Sequence, residues 1–203
     1  MKNIFVLTEV FAILMLMAFI NNNLHVDVYK VDTNLSSLEW TGEKITRKHT
    51  GTIKLLKGEI KNNHGHITGN FEIDMNSIVN TDVSSPEGRT KLEAHLKSPD
   101  FFDVVKFPNA TFVIKSVSPL NYIQPGQFTH NVTGQLTIKD KTNEVSFDAN
   151  ISMQDNKVTC TGTAVIDRSK FDVRHQSKTF FPEIGDRVVY DNFTLKFNVV
   201  AIK

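Results

Sequence analysis

The chain has 203 residues, with 23 lysines and arginines against 22 aspartates and glutamates, so its net charge is close to zero. Such a balance does not supply the clustered positive charge that nucleic acid or an anionic membrane surface would need. The single cysteine, Cys160, excludes an internal disulfide, so the stability of the fold has to come from a large core.

The first 22 residues have the pattern of a secretory signal. Lys2 precedes an apolar stretch from Ile4 to Ile20, and asparagines follow it. A short positive segment before an apolar segment of this kind is typical of an export signal and predicts a periplasmic or secreted protein. An uncleaved N-terminal anchor is the alternative. We therefore divide the chain into a signal at residues 1–22 and one domain at residues 27–203.

After the signal, apolar residues recur with a period of two, which indicates β-strands that have one buried and one solvated face. In chain order, the clear alternations are Ile67–Met75, Val132–Ile138, Val145–Met153, Val158–Ile166 and Phe193–Ala201. Weaker ones are Val26–Val31, Leu38–Ile45, Ile53–Ile60 and Phe112–Val117. Turn residues at Asn62–Gly65, Asp140–Asn143 and Asp155-Asn156 separate several of these runs and predict hairpins.

One segment between the strands has helical spacing. Leu92 and Leu96 are four residues apart, which places them on one face of a helix over residues 90–97. Ser98-Pro99 ends this helix, because the residue before a proline avoids the α conformation. We expect a short helix on a connection of the sheet, at the mouth of a barrel.

The apolar faces of eight or nine strands can be buried in two ways. The strands can form two packed sheets, or one sheet closed on itself, which also removes exposed edges. The composition includes 15 phenylalanines and only 1 tryptophan. Phenylalanine fills space without needing a hydrogen-bond partner, which suits a wide apolar interior. We predict an all-β protein, an antiparallel barrel with one or more short helices. Strand spacing alone leaves open whether the interior is a packed core or a lipid-sized cavity.

Four segments resemble the YceI-like family in order along residues 27–203. They are His49–Ile53 with Lys57–Ile60, Leu92–Phe112, Val132–Val145, and Phe171–Val199. The resemblance implies an eight-stranded, lipocalin-like antiparallel β-barrel whose elongated apolar pore holds a polyisoprenoid chain. It implies no enzymatic activity. We accordingly expect an isoprenoid lipid as partner, no cofactor and no metal, and we leave a homodimer open.

Two positions depart from the family pattern. Asp140 stands where the central hairpin usually has glycine, and Asp172 follows Phe171 where many members have glycine. Aspartate tolerates the left-handed conformation, so we expect Asp140 to adopt it in the hairpin.

The predicted ligand site is an apolar lining, in competition with an ordinary packed core. Its candidates are His49, Ile67, Phe71, Ile73, Phe101, Phe102, Phe107, Phe112, Ile114, Leu136, Phe180 and Phe181. Adjacent phenylalanines cannot both face inward from a regular strand, so one of each pair should face another surface or cap the barrel.

Polar side chains near strand ends are candidates for contact with a ligand head group. They are His49, Arg168 and Arg174, because imidazole and guanidinium groups suit phosphate or hydroxyl oxygens. Taken singly, each arginine is better explained as a solvated charge at the rim. His64 and His66 share one face of an extended segment but have no obvious third ligand, so a metal site is not expected. Cys160 falls on an apolar face and should be buried and inert.

The resulting hypothesis is a carrier or store for a long isoprenoid, such as a quinone precursor or a polyprenyl phosphate. One alternative is a barrel with a filled core that serves as a structural or interaction module. Another is an enzyme acting on an amphiphilic substrate, for which His49 is the only candidate catalytic group.

Overall fold

The computed structural model describes residues 26–121 and 126–203, so the predicted signal at residues 1–22 lies outside the described residues. Within these ranges nine strands form one antiparallel sheet. They are β1 Asp27–Val31, β2 Ser37–Lys44, β3 Arg47–Asn63, β4 His66–Asn80, β5 Asn109–Pro119, β6 His130–Ile138, β7 Lys141–Gln154, β8 Lys157–Asp167 and β9 Asn192–Ile202. Helix α1 spans Pro86–Lys97, and two 3-10 helices span Arg168–Phe171 and Pro182–Arg187.

The sheet closes into a barrel with eight strand positions. Strand β3 pairs with β4, and the neighbours continue in chain order from β4 to β9. Strands β1 and β2 share the eighth position, because both lie between β3 and β9. The prediction of an all-β, eight-stranded antiparallel barrel is confirmed, and closure gives each of these nine strands a partner on both sides.

Bulges explain why two of the alternations in the sequence are weak. A register shift between Leu55 and Lys57 of β3 moves the inward-facing position from odd to even numbers, so Leu55 and Ile60 both line the interior. Strand β5 has such a shift after Ile114, which brings Val117 inward. An extra residue on one strand breaks the period of two without removing the strand.

Two-residue turns join β3 to β4, β6 to β7, and β7 to β8. The hairpin predicted at Asp155-Asn156 is confirmed, with Gln154 paired to Lys157. At the central hairpin Ile138 pairs with Lys141, so the turn is one residue earlier than expected.

This shift corrects the expectation for Asp140, because the left-handed residue of the turn is Lys139, at φ 57°. The Lys139 ammonium donates to the carbonyl oxygen of Asp172 at 3.0 Å, which ties the turn to the connection between β8 and β9. Asp172 does take the left-handed conformation, at φ 56°, in the place where many family members have glycine.

Helix α1 lies beside the last part of β4, at the end of the barrel that we call the mouth. It begins at Pro86, four residues before the predicted start, because proline fits the first turn and the Ser85 hydroxyl accepts a hydrogen bond from the Gly88 amide. The Glu93 carboxylate accepts from the Asn80 amide at 2.8 Å, and Leu96 packs on the core. Within the described ranges, no helix has the length and apolar character to cross a membrane.

Candidate functional site

The barrel interior contains two apolar cavities that follow each other along the strands. The deep cavity has a volume of about 120 Å³ and the mouth cavity one of about 130 Å³. They meet at four residues that line both: Ile73, Leu136, Ile166 and Leu195. One water molecule needs only about 10–15 Å³ of such space, but apolar cavities of this kind stay dry. The interior therefore offers room for an apolar ligand rather than for solvent.

The deep cavity is lined entirely from strands. Six of the predicted lining residues are here: Ile67, Phe71, Ile73, Phe112, Ile114 and Leu136. Sequence reasoning did not select other residues of this lining as ligand contacts, among them Phe147, Phe197, Ile151 and Leu195. The signal was available, since all four lie on the inward faces of the alternations predicted for β7 and β9. The rings of Phe147 and Phe197 are in edge contact, with centroids 5.2 Å apart.

The mouth cavity is closed by side chains from outside the strands. Leu96 of α1, Phe101 and Phe102 line it together with Trp40 and Met75. The Phe101 and Phe102 rings pack edge to face, with centroids 5.2 Å apart. Both rings face the same cavity because the segment between α1 and β5 is irregular, so the alternation of a strand does not apply to this pair.

Three of the predicted lining phenylalanines lie outside both cavities. Phe107 sits under the Lys106 ammonium, which is 5.0 Å from the ring centroid. Phe180 lies under the Arg174 guanidinium at 5.0 Å, and Phe181 has an exposed fraction of 48%. These rings belong to irregular connections whose path the sequence pattern does not determine, and cation–π contacts hold two of them.

Arg168 is buried beneath the mouth cavity, with an exposed fraction of 2%. Its guanidinium donates to the carbonyl oxygens of Val173 at 2.8 Å, Val189 at 2.8 Å and Tyr190 at 3.1 Å. It also lies 3.4 Å from the Asp191 carboxylate. The expectation of a solvated rim charge is wrong for this residue, because the β8–β9 connection wraps around it and turns its own carbonyl groups toward it.

The electrostatics around Arg168 follow from burial. Burial lowers the pKa of Arg168, and the charges of Asp191 and Asp167 oppose that effect. Burial would raise the pKa of Asp191, but polar contacts with Ser177 and Thr179 and the charge of Arg168 outweigh it, so this pKa lies below its ordinary value. Arg168 thus remains the charged centre of a hydrogen-bonded clamp.

Two histidines pack edge to face at the outer side of the mouth cavity. The rings of His95 in α1 and His175 in the β8–β9 connection have centroids 4.4 Å apart, and both contact Phe101. Burial lowers the pKa of His175, the charges of His95 and Arg168 lower it further, and Asp100 opposes them. The neutral ring is therefore the favoured form in this contact.

An open cleft of about 520 Å³ begins beside this histidine pair. It is lined by Lys139, Asp172, Arg174, His175, Phe181, Pro99, Asp100, Gln176 and Ile184. The predicted head-group candidate Arg174 lies here, with its guanidinium on the Asp172 carboxylate and its side chain 61% exposed. The cleft places cationic and acidic groups together just outside the apolar interior.

His49, the other head-group candidate, lies outside both cavity linings. Its Nδ1 is 3.0 Å from the Asp82 carboxylate, which also accepts from the Thr50 amide at 2.8 Å and from the Asn80 side chain. Burial raises the pKa of Asp82, but these hydrogen bonds outweigh it and hold the pKa below its ordinary value. The cluster joins the start of β3 to the end of β4.

The remaining residues considered in the sequence analysis are Cys160, His64 and His66. Cys160 is a free thiol in the deep-cavity lining, and burial raises its pKa to about 12, in agreement with the expected inert thiol. His64 lies in the exposed turn between β3 and β4, and His66 is the exposed first residue of β4. In residues 26–121 and 126–203, no group of three or more His, Cys, Asp or Glu side chains is placed to hold a metal ion.

The family model of the YceI-like domain matches residues 29–201. The chain belongs to the YceI-like family. The resemblance inferred from the sequence segments is thereby confirmed, and it extends over all nine strands apart from the ends of β1 and β9.

Curated relatives share parts of this YceI-like sequence. A UPF0312 protein of Staphylococcus aureus strain USA300 is 41% identical over 96 residues, which cover 41% of this chain and 49% of that protein. A UPF0312 protein of Pseudomonas putida strain W619 is 30% identical over 97 residues, which cover 46% of this chain and 48% of that protein. The chain spans about half the length of the curated relatives it matches.

Solved structures share the YceI-like barrel more completely. BcnA of Burkholderia cenocepacia superposes with a TM-score of 0.64 at 24% identity, over 84% of this chain and 98% of that one. A polyisoprenoid binding domain from Saccharophagus degradans superposes with a TM-score of 0.60 at 13% identity, over 86% of this chain and 97% of that one. At such identities the likeness establishes a common fold.

Proposed function

We propose that the protein binds a long isoprenoid lipid, with the apolar chain inside the barrel and the polar head at the mouth. The observation that carries this proposal is the pair of apolar cavities in sequence along the barrel. A chain that enters at the mouth and extends into the deep cavity leaves water along its length, which favours binding by about 25 cal/mol per Å² of apolar surface. The description of the Saccharophagus degradans barrel as a polyisoprenoid binding domain agrees with this assignment.

The head group would occupy the cleft beside the histidine pair. Lys139 and Arg174 both already bond to Asp172, and Asp100 adds a second carboxylate to the cleft. Charge in the cleft is therefore balanced, which favours an uncharged polar head of the quinone-precursor type over a diphosphate. Arg168 is not assigned to the head group, because its donors serve carbonyl oxygens of the protein.

We propose a binding protein rather than an enzyme. Two polar groups of the cavity walls are engaged in structural contacts or are unreactive: Arg168 is held by three carbonyl groups, and burial raises the pKa of the Cys160 thiol to about 12. His49, the one catalytic candidate from the sequence, pairs with Asp82 outside both linings. A filled-core module is less well supported, because such a barrel would have no cavities of this size.

Carriage or storage outside the cytosol completes the proposal. The apolar segment at residues 4–20 supports export of the chain. A closed apolar interior suits transfer of a lipid chain through water, since it replaces the membrane around the chain during transit.

Filling the deep cavity tests the function directly. Ala164 faces the deep cavity and has an exposed fraction of 5%. Ala164→Leu should weaken binding of a C55 polyprenol roughly tenfold or more, because the new side chain takes the place of about two or more methylene groups of the ligand. Binding is measured by native mass spectrometry of the purified chain after incubation with the lipid.

The matched control is Val165→Leu, at the next residue, whose side chain points outward with an exposed fraction of 59%. It should bind the polyprenol as the wild type does. Wild-type protein that keeps its bare mass after incubation with polyprenyl lipids would refute the proposed function. Equal binding by the wild type and Ala164→Leu would place the lipid elsewhere than in the deep cavity.

A further inference from the structure

Four inward-facing strand glycines each lie under an aromatic ring from the adjacent strand. The pairs are Gly51 with Trp40, Gly58 with Phe71, Gly134 with Phe112 and Gly162 with Phe197. In three of them the glycine and the aromatic residue are direct cross-strand partners. In the fourth, Phe112 reaches Gly134 diagonally, because the cross-strand partner of Gly134 is Ile114. Both relations bring side chains into contact across a sheet.

The rings occupy the space that a side chain would take. A Cβ atom on Gly58 would lie 2.8 Å from Phe71 Cδ1, and one on Gly162 would lie 2.7 Å from Phe197 Cζ. At Gly51 and Gly134 the corresponding distance to the ring is 2.4 Å. Non-bonded carbon atoms approach to about 3.5–4.0 Å, so only glycine leaves room for these rings.

The consequence is that each ring extends along the wall instead of across the interior. Trp40 lines the mouth cavity, and Phe71, Phe112 and Phe197 line the deep cavity. The Trp40 indole also donates to the Thr52 carbonyl oxygen at 3.2 Å, which ties this ring to the neighbouring strand. The pairs thus provide a large aromatic surface and keep the interior open.

This arrangement is not a general property of glycines in the sheet. A Cβ on Gly42, another strand glycine that borders the mouth cavity, would meet nothing within 4 Å. The four pairs are therefore specific sites at which a ring replaces a missing side chain.

We propose that the three glycine–aromatic pairs of Phe71, Phe112 and Phe197 set the bore of the deep cavity and hence the length of isoprenoid chain that the barrel accepts. This inference rests on the proposed function. A side chain at one of these glycines would displace the paired aromatic ring into the cavity. The ring would then occupy space that the deep part of a long lipid chain needs. A short chain that occupies only the mouth cavity would be affected little.

Gly58 is the best position for a test. Its nearest neighbours are side chains, Val31 Cγ2 at 2.7 Å and Phe71 Cδ1 at 2.8 Å, and the nearest backbone atom is 3.2 Å away. At Gly134 and Gly162 backbone oxygens lie at 2.6 and 2.8 Å, so substitution there would strain the wall itself.

The experiment compares binding of C55 polyprenol and of C15 farnesol to the wild type and to Gly58→Ala, by native mass spectrometry. Affinity for the C55 chain should fall roughly tenfold, about the effect of two methylene groups no longer buried, while affinity for farnesol changes less than about twofold. Gly58→Ala/Phe71→Leu should restore the C55 affinity, because the displaced ring is removed. Gly88→Ala in α1, outside both cavities, is the matched control and should bind both lipids normally.

Several outcomes overturn the inference. They are an equal loss for both chain lengths in a folded Gly58→Ala protein, unchanged C55 binding, and failure of the double variant to recover. Wild-type protein that binds neither lipid refutes the proposed function instead. In that case a crystal structure of Gly58→Ala still tests whether the glycine–aromatic pairs set the bore of the deep cavity. A Phe71 ring that stays on the wall contradicts the inference, and a ring that enters the deep cavity supports it.

Discussion

The two cavities are similar in volume but are built in different ways. Every residue that lines the deep cavity belongs to a strand, so register and bulges fix its shape. The mouth cavity depends in addition on α1, on Phe101 and Phe102, and on the β8–β9 connection around Arg168. Irregular segments held by a few polar contacts open at a lower free energy than paired strands do. We therefore expect the mouth half to open more readily than the deep half.

The largest expected effect is loss of the Arg168 clamp. Arg168→Met should lower the free energy of unfolding by about 3–5 kcal/mol, because removing one partner of a buried ion pair leaves polar groups unpaired. Urea denaturation measures this change. Arg174→Met is the control, since that arginine is 61% exposed and should contribute within about 0.5 kcal/mol. Equal effects of the two substitutions would contradict the distinction between a buried clamp and a rim charge.

A smaller effect is expected where the two cavities meet. Leu136→Ala should cost about 2–3 kcal/mol, in the lower part of the range for buried leucine, because one side of Leu136 already faces open space. The substitution should join the cavities and leave binding of a C55 polyprenol at least as tight. Leu56→Ala, at an outward position with an exposed fraction of 51%, should change stability by no more than about 0.5 kcal/mol. Loss of lipid binding in folded Leu136→Ala would argue against a continuous path.

The smallest expected effect is the pH dependence of stability that arises from His175 at the mouth. Because the pKa of His175 is lowered by burial and by His95 and Arg168, the unfolded chain takes up this proton at a higher pH than the folded protein does. Stability from this group should therefore be lost as the pH falls below the ordinary histidine value of 6.5. The lowered pKa values of Asp82 and Asp191 act only at a more acidic pH, below their ordinary value of 3.8.

Urea midpoints between about pH 7 and about pH 5 measure this contribution, a range in which histidine titrates and carboxylates do not. His175→Gln should flatten the decline relative to the wild type. His64→Gln, in the exposed turn between β3 and β4, should leave it unchanged. The same slope in the wild type and in His175→Gln would exclude His175 as the source.

More of the deep half than of the mouth half could be predicted from the sequence, although Phe101, Phe102 and the helix at the mouth were expected. The inward positions of Phe71, Ile73 and Leu136 follow from the period of two, because a strand alternates its faces wherever it lies in the fold. The burial of Arg168 depends on carbonyl groups up to 22 residues away, which no local pattern encodes. The turn at Lys139 likewise depends on the distant Asp172 carbonyl.

Closure of the barrel by β9 has a consequence for how the chain folds. Val31 pairs with Ala201, and Leu38 pairs with Phe197, so β1 and β2 each find one partner in the nearby strand β3 and the second only in the last residues of the domain. Such distant pairings carry a large loop-closure entropy and slow the folding reaction. We expect the ring of strands to close as the final event, after synthesis of the domain is complete, and the open sheet to persist until then.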